Sequence, residues 1–363
     1  MLRAYLYTLI AVFTWGSSLA VNKAIVVAAR DGARLTPTQV AFWCIAIGWL
    51  SLLLVLLARR RLRLFRDIAG RGWIVLLAMG CCGWVGSVVF LNIAFARLPL
   101  PDAIVINYLH PAYTVAFQGL SFSAIVRLIS GSEQPVDRTR RPGPLALASG
   151  LLICLLGVAF IASKGRLTSL GDIRSVTGAL AALSAAISWG IYSNLGRFVT
   201  MKTGRHAHNL PAGSPAGRAC PPAVWRVAGL SDLHTFAAMT FGLAIMALVL
   251  AVRGELGLPN GYYTTMFLLG RGPETVNAWP LIIGMGVVVY GLGFTMWLYA
   301  MELGARTGVA HKLPPLAYLS PVLGVAVSWA LLREGFGPGF WPGTALIVLG
   351  NIANLIAGRR APA

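Results

Sequence analysis

Residues Pro101–Leu120 read PDAIVINYLHPAYTVAFQGL, a run apolar enough to lie in a bilayer yet marked by one polar stripe. Asn107, His110, Thr114 and Gln118 follow at spacings of 3, 4 and 4, which puts them on one side of a helix. Pro111 has no N–H to donate, so a kink is expected in the middle. Polar groups facing lipid are costly, so the stripe is expected to look into a cavity between helices. The pattern returns in the second half of the chain, where Tyr108-Leu109-His110-Pro111 is answered by Tyr318-Leu319-Ser320-Pro321.

The composition fits that reading. The 363 residues are 57% hydrophobic and 11% charged, against about 25% charged in soluble domains. This excludes an ordinary water-soluble globule and indicates an all-α polytopic membrane protein. The 30 Lys and Arg outnumber the 11 Asp and Glu. The basic residues sit mostly in short loops, which is the signature of membrane topology and anionic lipid rather than of nucleic acid. The five cysteines match neither CxxC nor a metal spacing, so no metal or cofactor is expected. Met1–Ala20 has Ser18-Leu19-Ala20 at a cleavage-like spacing. Its n-region holds only Arg3 and its apolar run is long, so it is read as a retained helix.

Ten spans of about 20 residues are expected. They run near Ala4–Ala28, Val40–Leu57, Trp73–Ala96, Asp102–Phe122 and Leu145–Ser163, then Thr177–Thr200, Leu233–Val252, Trp279–Glu302, Gly308–Leu332 and Gly339–Ala357. With both termini on one side, the segments there hold Arg3, six arginines in Arg59–Arg71, and most of the remaining basic residues. The opposite segments hold fewer, so both termini are expected to be cytoplasmic. Two long segments, 201–231 and 253–278, are expected to be flexible loops. The run Tyr262–Leu269 in the second is too short to span and is placed at the interface.

The halves 1–163 and 164–363 match at several points. Thr14-Trp15-Gly16 answers Ser188-Trp189-Gly190, with Lys23 and Arg197 each eight residues past the tryptophan. Gly150 and Gly157 answer Gly343 and Gly350. Five spans is an odd number, so the second copy enters from the opposite side. Two inverted five-helix repeats are the usual plan of a secondary transporter, with its site near the midplane.

Trp15-Gly16, the paired YLxP elements and Leu332-Arg333-Glu334 followed by Gly343 and Gly350 resemble the ten-helix EamA-type members of the drug/metabolite transporter superfamily. Asn107-Tyr108-Leu109-His110-Pro111, with Trp189 and Tyr192, is similar to the NYLxP signature of its aromatic-amino-acid exporter branch. That branch usually has an aromatic where this chain has His110. The resemblance implies a central cavity lined by spans one, three, four, six, eight and nine. Its substrate-binding candidates are Trp15, Lys23, Asn92, Asn107, His110, Tyr192, Trp297, His311 and Tyr318, with Pro111 and Pro321 as hinges.

Each candidate has a structural alternative. Asn107 would cap the carbonyl that Pro111 frees, the stripe Tyr290, Phe294, Trp297, Met301 would be packing, and Lys23 and His311 would snorkel to a membrane surface. All eleven acidic residues fall in loops or near span ends. Proton coupling would therefore rest on His110, His311, Asp102 or Glu302, or transport would be downhill. The expectation is a non-enzymatic carrier in a bacterial inner membrane that exports small metabolites, foremost amino acids and aromatic ones among them, by alternating access. A multidrug or other metabolite carrier, or a non-transporting receptor or scaffold, are the alternatives.

Overall fold

The computed structural model describes residues 2–28, 35–62, 65, 68, 70–119, 144–165, 173–208, 223–256, 263–267, 273–307, 313, 316–317, 319–333, 335–337 and 339–359. An unbroken helix, α1, runs Leu2–Ala28. The next, α2 (Pro37–Ala58), starts on a complete capping box. The Gln39 amide donates to Thr36 Oγ1, the Thr36 amide donates to Gln39 Oε1, and Pro37 fills the first turn, where its missing N–H costs nothing. A third rod changes pitch twice. Helix α3 (Gly70–Met79) passes into a π-helical segment (Gly80–Ser87) and then into α4 (Val88–Phe95).

The fourth span differs from expectation. A single kinked helix was expected, and two helices are found, α5 (Leu100–Asn107) and α6 (His110–Gly119). Pro111 cannot donate to the Asn107 carbonyl, so the ladder stops before it. The Tyr108 amide reaches the Ile104 carbonyl at 3.0 Å, the Leu109 amide falls back to Ile106 at 3.1 Å, and Tyr113 resumes on Leu109 at 3.2 Å. The sister motif behaves alike. Helix α12 (Leu319–Leu332) holds Pro321 in its first turn.

The remaining elements are α7 (Pro144–Ala162), α8 (Ile173–His208), α9 (Ala223–Val252), α10 (Ala278–Gly284), a second π-helical segment (Met285–Gly293), α11 (Phe294–Arg306) and α13 (Phe340–Arg359). Helices α8 and α9 reach well into 201–231, so only its middle stays outside the described residues. The expected loop 253–278 also carries order. Part of the run placed at the interface forms β1 (Tyr263–Phe267), paired antiparallel with β2 (Pro273–Asn277). Pairing satisfies the backbone of these residues, which no single strand achieves at a membrane surface.

Among the described residues, six helical stretches are long and apolar enough to cross a membrane: Leu2–Val26, Pro37–Ala58, Gly72–Phe95, Ser175–Leu195, Asp232–Val252 and Ala278–Met301. Ala148–Ala162, Leu319–Leu332 and Phe340–Ala353 are apolar but shorter. Leu6, Phe13, Leu54, Leu155, Leu248 and Trp341 stand exposed on the helix surfaces. In water such a surface would aggregate; in a bilayer it is the ordinary outer face. The chain is a multi-pass helical membrane protein.

Lipid gives little hydrophobic reason for helices to associate, so close packing does the work, and small residues mark where backbones meet. The tightest seam joins α7 to α13. A Cβ at Gly157 would lie 2.6 Å from the Gly343 carbonyl oxygen, and one at Gly350 would lie 2.6 Å from that of Gly150. The first π-segment packs on α8 and α9, the second on α1 and α2, and α1 also lies against α12 as α8 lies against α6.

Gly157→Ala is expected to destabilise the fold by about 1–3 kcal/mol, because backbone cannot yield to a methyl as a side-chain tip can. Thermal unfolding in detergent should show a lowered midpoint, whereas Ala at Gly284, with nothing within 4 Å, should leave it unchanged.

Candidate functional site

The pitch changes and breaks just described all deliver rings to the centre of the molecule. Trp84 lies in the first π-segment and Tyr290 in the second; their ring centroids are 6.1 Å apart. Trp84 also meets Phe294 at 5.1 Å and Tyr192 of α8 at 6.3 Å. From Phe294 the contacts pass to Trp15 of α1 at 5.3 Å, and from Trp15 to Trp297 at 5.2 Å. In the other direction Tyr192 meets Trp189 at 5.0 Å, Trp189 meets His110 at 6.4 Å, and His110 meets Tyr108 at 5.4 Å. One continuous chain of rings thus joins α1, both π-segments, α8 and the α5–α6 break. Each such pair is worth roughly 0.5–1.5 kcal/mol beyond its buried area.

Glycine makes the approach possible. A Cβ at Gly83 would fall 2.3 Å from Tyr192 Cδ2, one at Gly48 2.3 Å from Tyr290 Cβ, and one at Gly293 3.1 Å from Trp15 Nε1. Three polar atoms in this region are buried with no hydrogen-bond partner among the described residues: Trp15 Nε1, Trp84 Nε1 and Asn107 Oδ1. A buried polar atom left so costs about 1–3 kcal/mol.

Four sequence candidates, Trp15, His110, Tyr192 and Trp297, therefore stand in one ring chain, with Asn107 next to its Tyr108 end. Others stand elsewhere. Asn92 is 1% exposed, accepts from Asn22 Nδ2 at 2.8 Å and donates to the Pro37 carbonyl at 3.1 Å, so it ties α4 to α1 and to the start of α2. Lys23 does not snorkel. It is 5% exposed and its ammonium donates to the Leu98 carbonyl in the α4–α5 turn. Thr114 donates back to the His110 carbonyl at 2.8 Å, a local bond that takes it out of the polar stripe. His311, Tyr318, and the side chains of Pro111, Gln118 and Glu302 lie outside the described residues.

Among the described residues, charged side chains sit at the two ends of the bundle. Where α1 finishes, Asp102 is buried in the first turn of α5. Nearby, Gln39 Nε2 donates to the Glu255 carbonyl at 2.6 Å, and Glu255 pairs with Arg253 at 2.6 Å. Where α1 starts, Arg59 and Arg61 both reach Asp232 Oδ2, at 3.4 and 2.9 Å, and Arg59 lies 4.2 Å over the Tyr299 ring. Asp102 stands in the first turn of α5 and Asp232 inside α9 where its apolar stretch begins, and both are buried instead of solvated. The ring chain itself contains His110 as its one titratable base.

Trp84 escaped the sequence reading. Its signal was the triplet Gly80, Gly83, Gly86, whose three-residue spacing marks a helix face open to close approach. A separate groove of about 360 Å³ between α1 and α12, lined by Leu9, Val12, Phe13, Thr14, Leu319 and Leu323, is mostly apolar and opens on exposed side chains. No member of the ring chain lines it, so it is a feature of the lipid-facing surface.

Lys23→Met is expected to lower the thermal midpoint of the protein while leaving ligand affinity at the ring chain unchanged. Loss of affinity with an unaltered midpoint, measured on the same preparation, would return Lys23 to the binding site.

Residues 2–130 match the model of the EamA-like transporter family. No curated protein matches the chain. A solved structure described only as "Crystal structure of protein" is similar over 98% of this chain and 98% of its own, at 20% identity and a TM-score of 0.44.

Proposed function

We propose that this protein is a secondary transporter of small metabolites, foremost amino acids and aromatic ones among them, whose substrate site is the ring chain centred on Trp84. The observation that carries the reading is that this chain draws its members from both halves of the sequence, Trp15, Trp84 and His110 from one, Tyr192, Tyr290, Phe294 and Trp297 from the other. A site between halves is what alternating access needs, since rocking one half against the other then exposes it to each side in turn. The match of residues 2–130 to a transporter family supports the same reading.

The packing partners support two equivalent five-span repeats. Exchanging α1 with α8, α2 with α9, the two π-segments, α4 with α11 and α6 with α12 turns the most extensive pairings into other observed ones. Thus α1 on α12 becomes α8 on α6, α2 on the second π-segment becomes α9 on the first, and α1 on α11 becomes α8 on α4. The seam of α7 with α13 maps onto itself. In this reading the two YLxP prolines, Pro111 and Pro321, occupy matched helix starts, and α5–α6, α7, α12 and α13 join the six long stretches to make up the expected spans.

The chemistry of the centre sets the substrate class. Ring faces offer stacking, and the acidic and basic side chains among the described residues sit at the bundle ends. A polycationic drug would meet no carboxylate there, so the multidrug alternative is disfavoured and a neutral, zwitterionic or weakly anionic metabolite is preferred. Asn107 takes the polar end of the substrate and His110 the proton, as the side chain whose ordinary range lies between pH 5 and 8. The arginine bias of the loops supports both termini lying inside, and export from a bacterial cytoplasm is the direction we propose for the flux.

Purified protein in liposomes, tested for counterflow with labelled amino acids at several pH values, is the decisive experiment. Wild-type protein should exchange at least one aromatic amino acid, and His110→Gln should keep exchange but lose its pH dependence. Failure of every amino acid to exchange would end the transporter reading for this substrate class; an unchanged pH profile in His110→Gln would make His110 a structural residue. For orientation, a membrane-impermeant thiol reagent should label Cys220 only after cells are permeabilised.

A further inference from the structure

Two tryptophans in the ring chain carry more than their faces. Trp84 is 1% exposed, yet its indole N–H has no hydrogen-bond partner among the described residues, and the same holds for the indole N–H of Trp15. Buried indole N–H groups normally find an acceptor, and an indole can only donate. Both tryptophans lie against the same Phe294 ring, at 5.1 and 5.3 Å. Gly293 leaves the Trp15 N–H unobstructed by any side chain of its own. Two donors flanking one ring, served by no acceptor among the described residues, call for acceptors from a ligand.

The strongest acceptor an N–H can take is a carboxylate oxygen. A fixed cation would be the common way to hold such a group, but the described cations near the bundle are committed elsewhere. Lys23 donates to the Leu98 carbonyl, and Arg59 and Arg61 reach Asp232. A free anion would therefore be poorly compensated at the centre, whereas a carboxylate balanced within the ligand by its own ammonium brings no net charge. We infer that the indole N–H groups of Trp84 and Trp15, rather than a lysine or arginine, bind the carboxylate of a net-neutral aromatic zwitterion whose ring stacks on the neighbouring aromatic side chains. The inference rests on the proposed function, because it identifies which atoms of the site read the substrate.

The test is equilibrium dialysis of the full chain in detergent, with labelled phenylalanine and with labelled phenethylamine, which has the same ring and amine but no carboxylate. Wild-type protein should bind phenylalanine more tightly than phenethylamine. Trp84→Phe keeps the aromatic face and removes the donor. It should weaken phenylalanine binding about tenfold, as expected for one charge-assisted hydrogen bond, and leave phenethylamine where it was. Trp15→Phe, at a half-buried position, carries the same expectation and decides the matter if Trp84→Phe does not fold. Equal losses for both ligands would show that the tryptophans only stack, and undiminished phenylalanine binding in both variants would show that they do not touch the carboxylate. Either result overturns the inference while leaving a carrier in place. If wild-type protein binds neither ligand, the inference falls together with the aromatic substrate reading.

Discussion

The centre of this molecule depends on backbone standing directly beneath aromatic rings. Gly83 under Tyr192, Gly48 under Tyr290 and Gly293 under Trp15 each leave a ring where any side chain would have driven the helices apart. In lipid, where hydrophobicity gives apolar helices little reason to prefer one another over the solvent, that proximity is what binds them. The rings then add a preferred mutual geometry, so the helices are held in one relative orientation rather than merely side by side. Remove the glycines and both the adhesion and the orientation are lost, because they are one interaction seen from its two partners.

Polar side chains divide the labour differently. At one end of the bundle Asn22, Asn92 and the Pro37 carbonyl form a relay between α1, α4 and α2, and Thr36, Gln39 and Glu255 tie α2 to the end of α9. At the other end two arginines meet one aspartate. Most of these bonds satisfy groups that would otherwise be stranded near the membrane boundary. The middle is held by dispersion and ring geometry, and its spare hydrogen-bonding capacity lies in Trp15, Trp84 and Asn107.

Much of this was legible before any coordinates. Apolar runs of span length locate the helices, because a bilayer admits few other backbones, and Pro111 fixes the discontinuity of the fourth span to within a residue or two. What the proline does not reveal is severity. Kink and break differ only in whether neighbouring amides find new carbonyls, which depends on tertiary surroundings. Trp15, Tyr192 and Trp297 could be marked because they sit on recognisable helical faces, whereas at Trp84 the helical period itself changes and only the glycine spacing beside it signals a close approach. Asn92 and Lys23 show the converse ambiguity. A polar residue in an apolar span signals function or a structural tie equally well, and only the presence of a partner such as Asn22 or the Leu98 carbonyl separates the two. The hairpin at Tyr263–Asn277 was invisible because ladder pairing joins segments that carry no shared periodicity.

The two π-helical segments have a further consequence. A π-turn closes its hydrogen bond one residue later than an α-turn, so each rod carries a surplus residue within it. Were either rod to expel that surplus and wind as plain α-helix, everything beyond would rotate by about 100° and slide by about 1.5 Å. Trp84 and Tyr290 would then face a different neighbour, and the stack between them would come apart. The wide turns thus work as vernier marks. Aromatic register across the centre holds only while both rods keep the same extra residue, and losing it in one alone would leave the halves out of step by a single tooth.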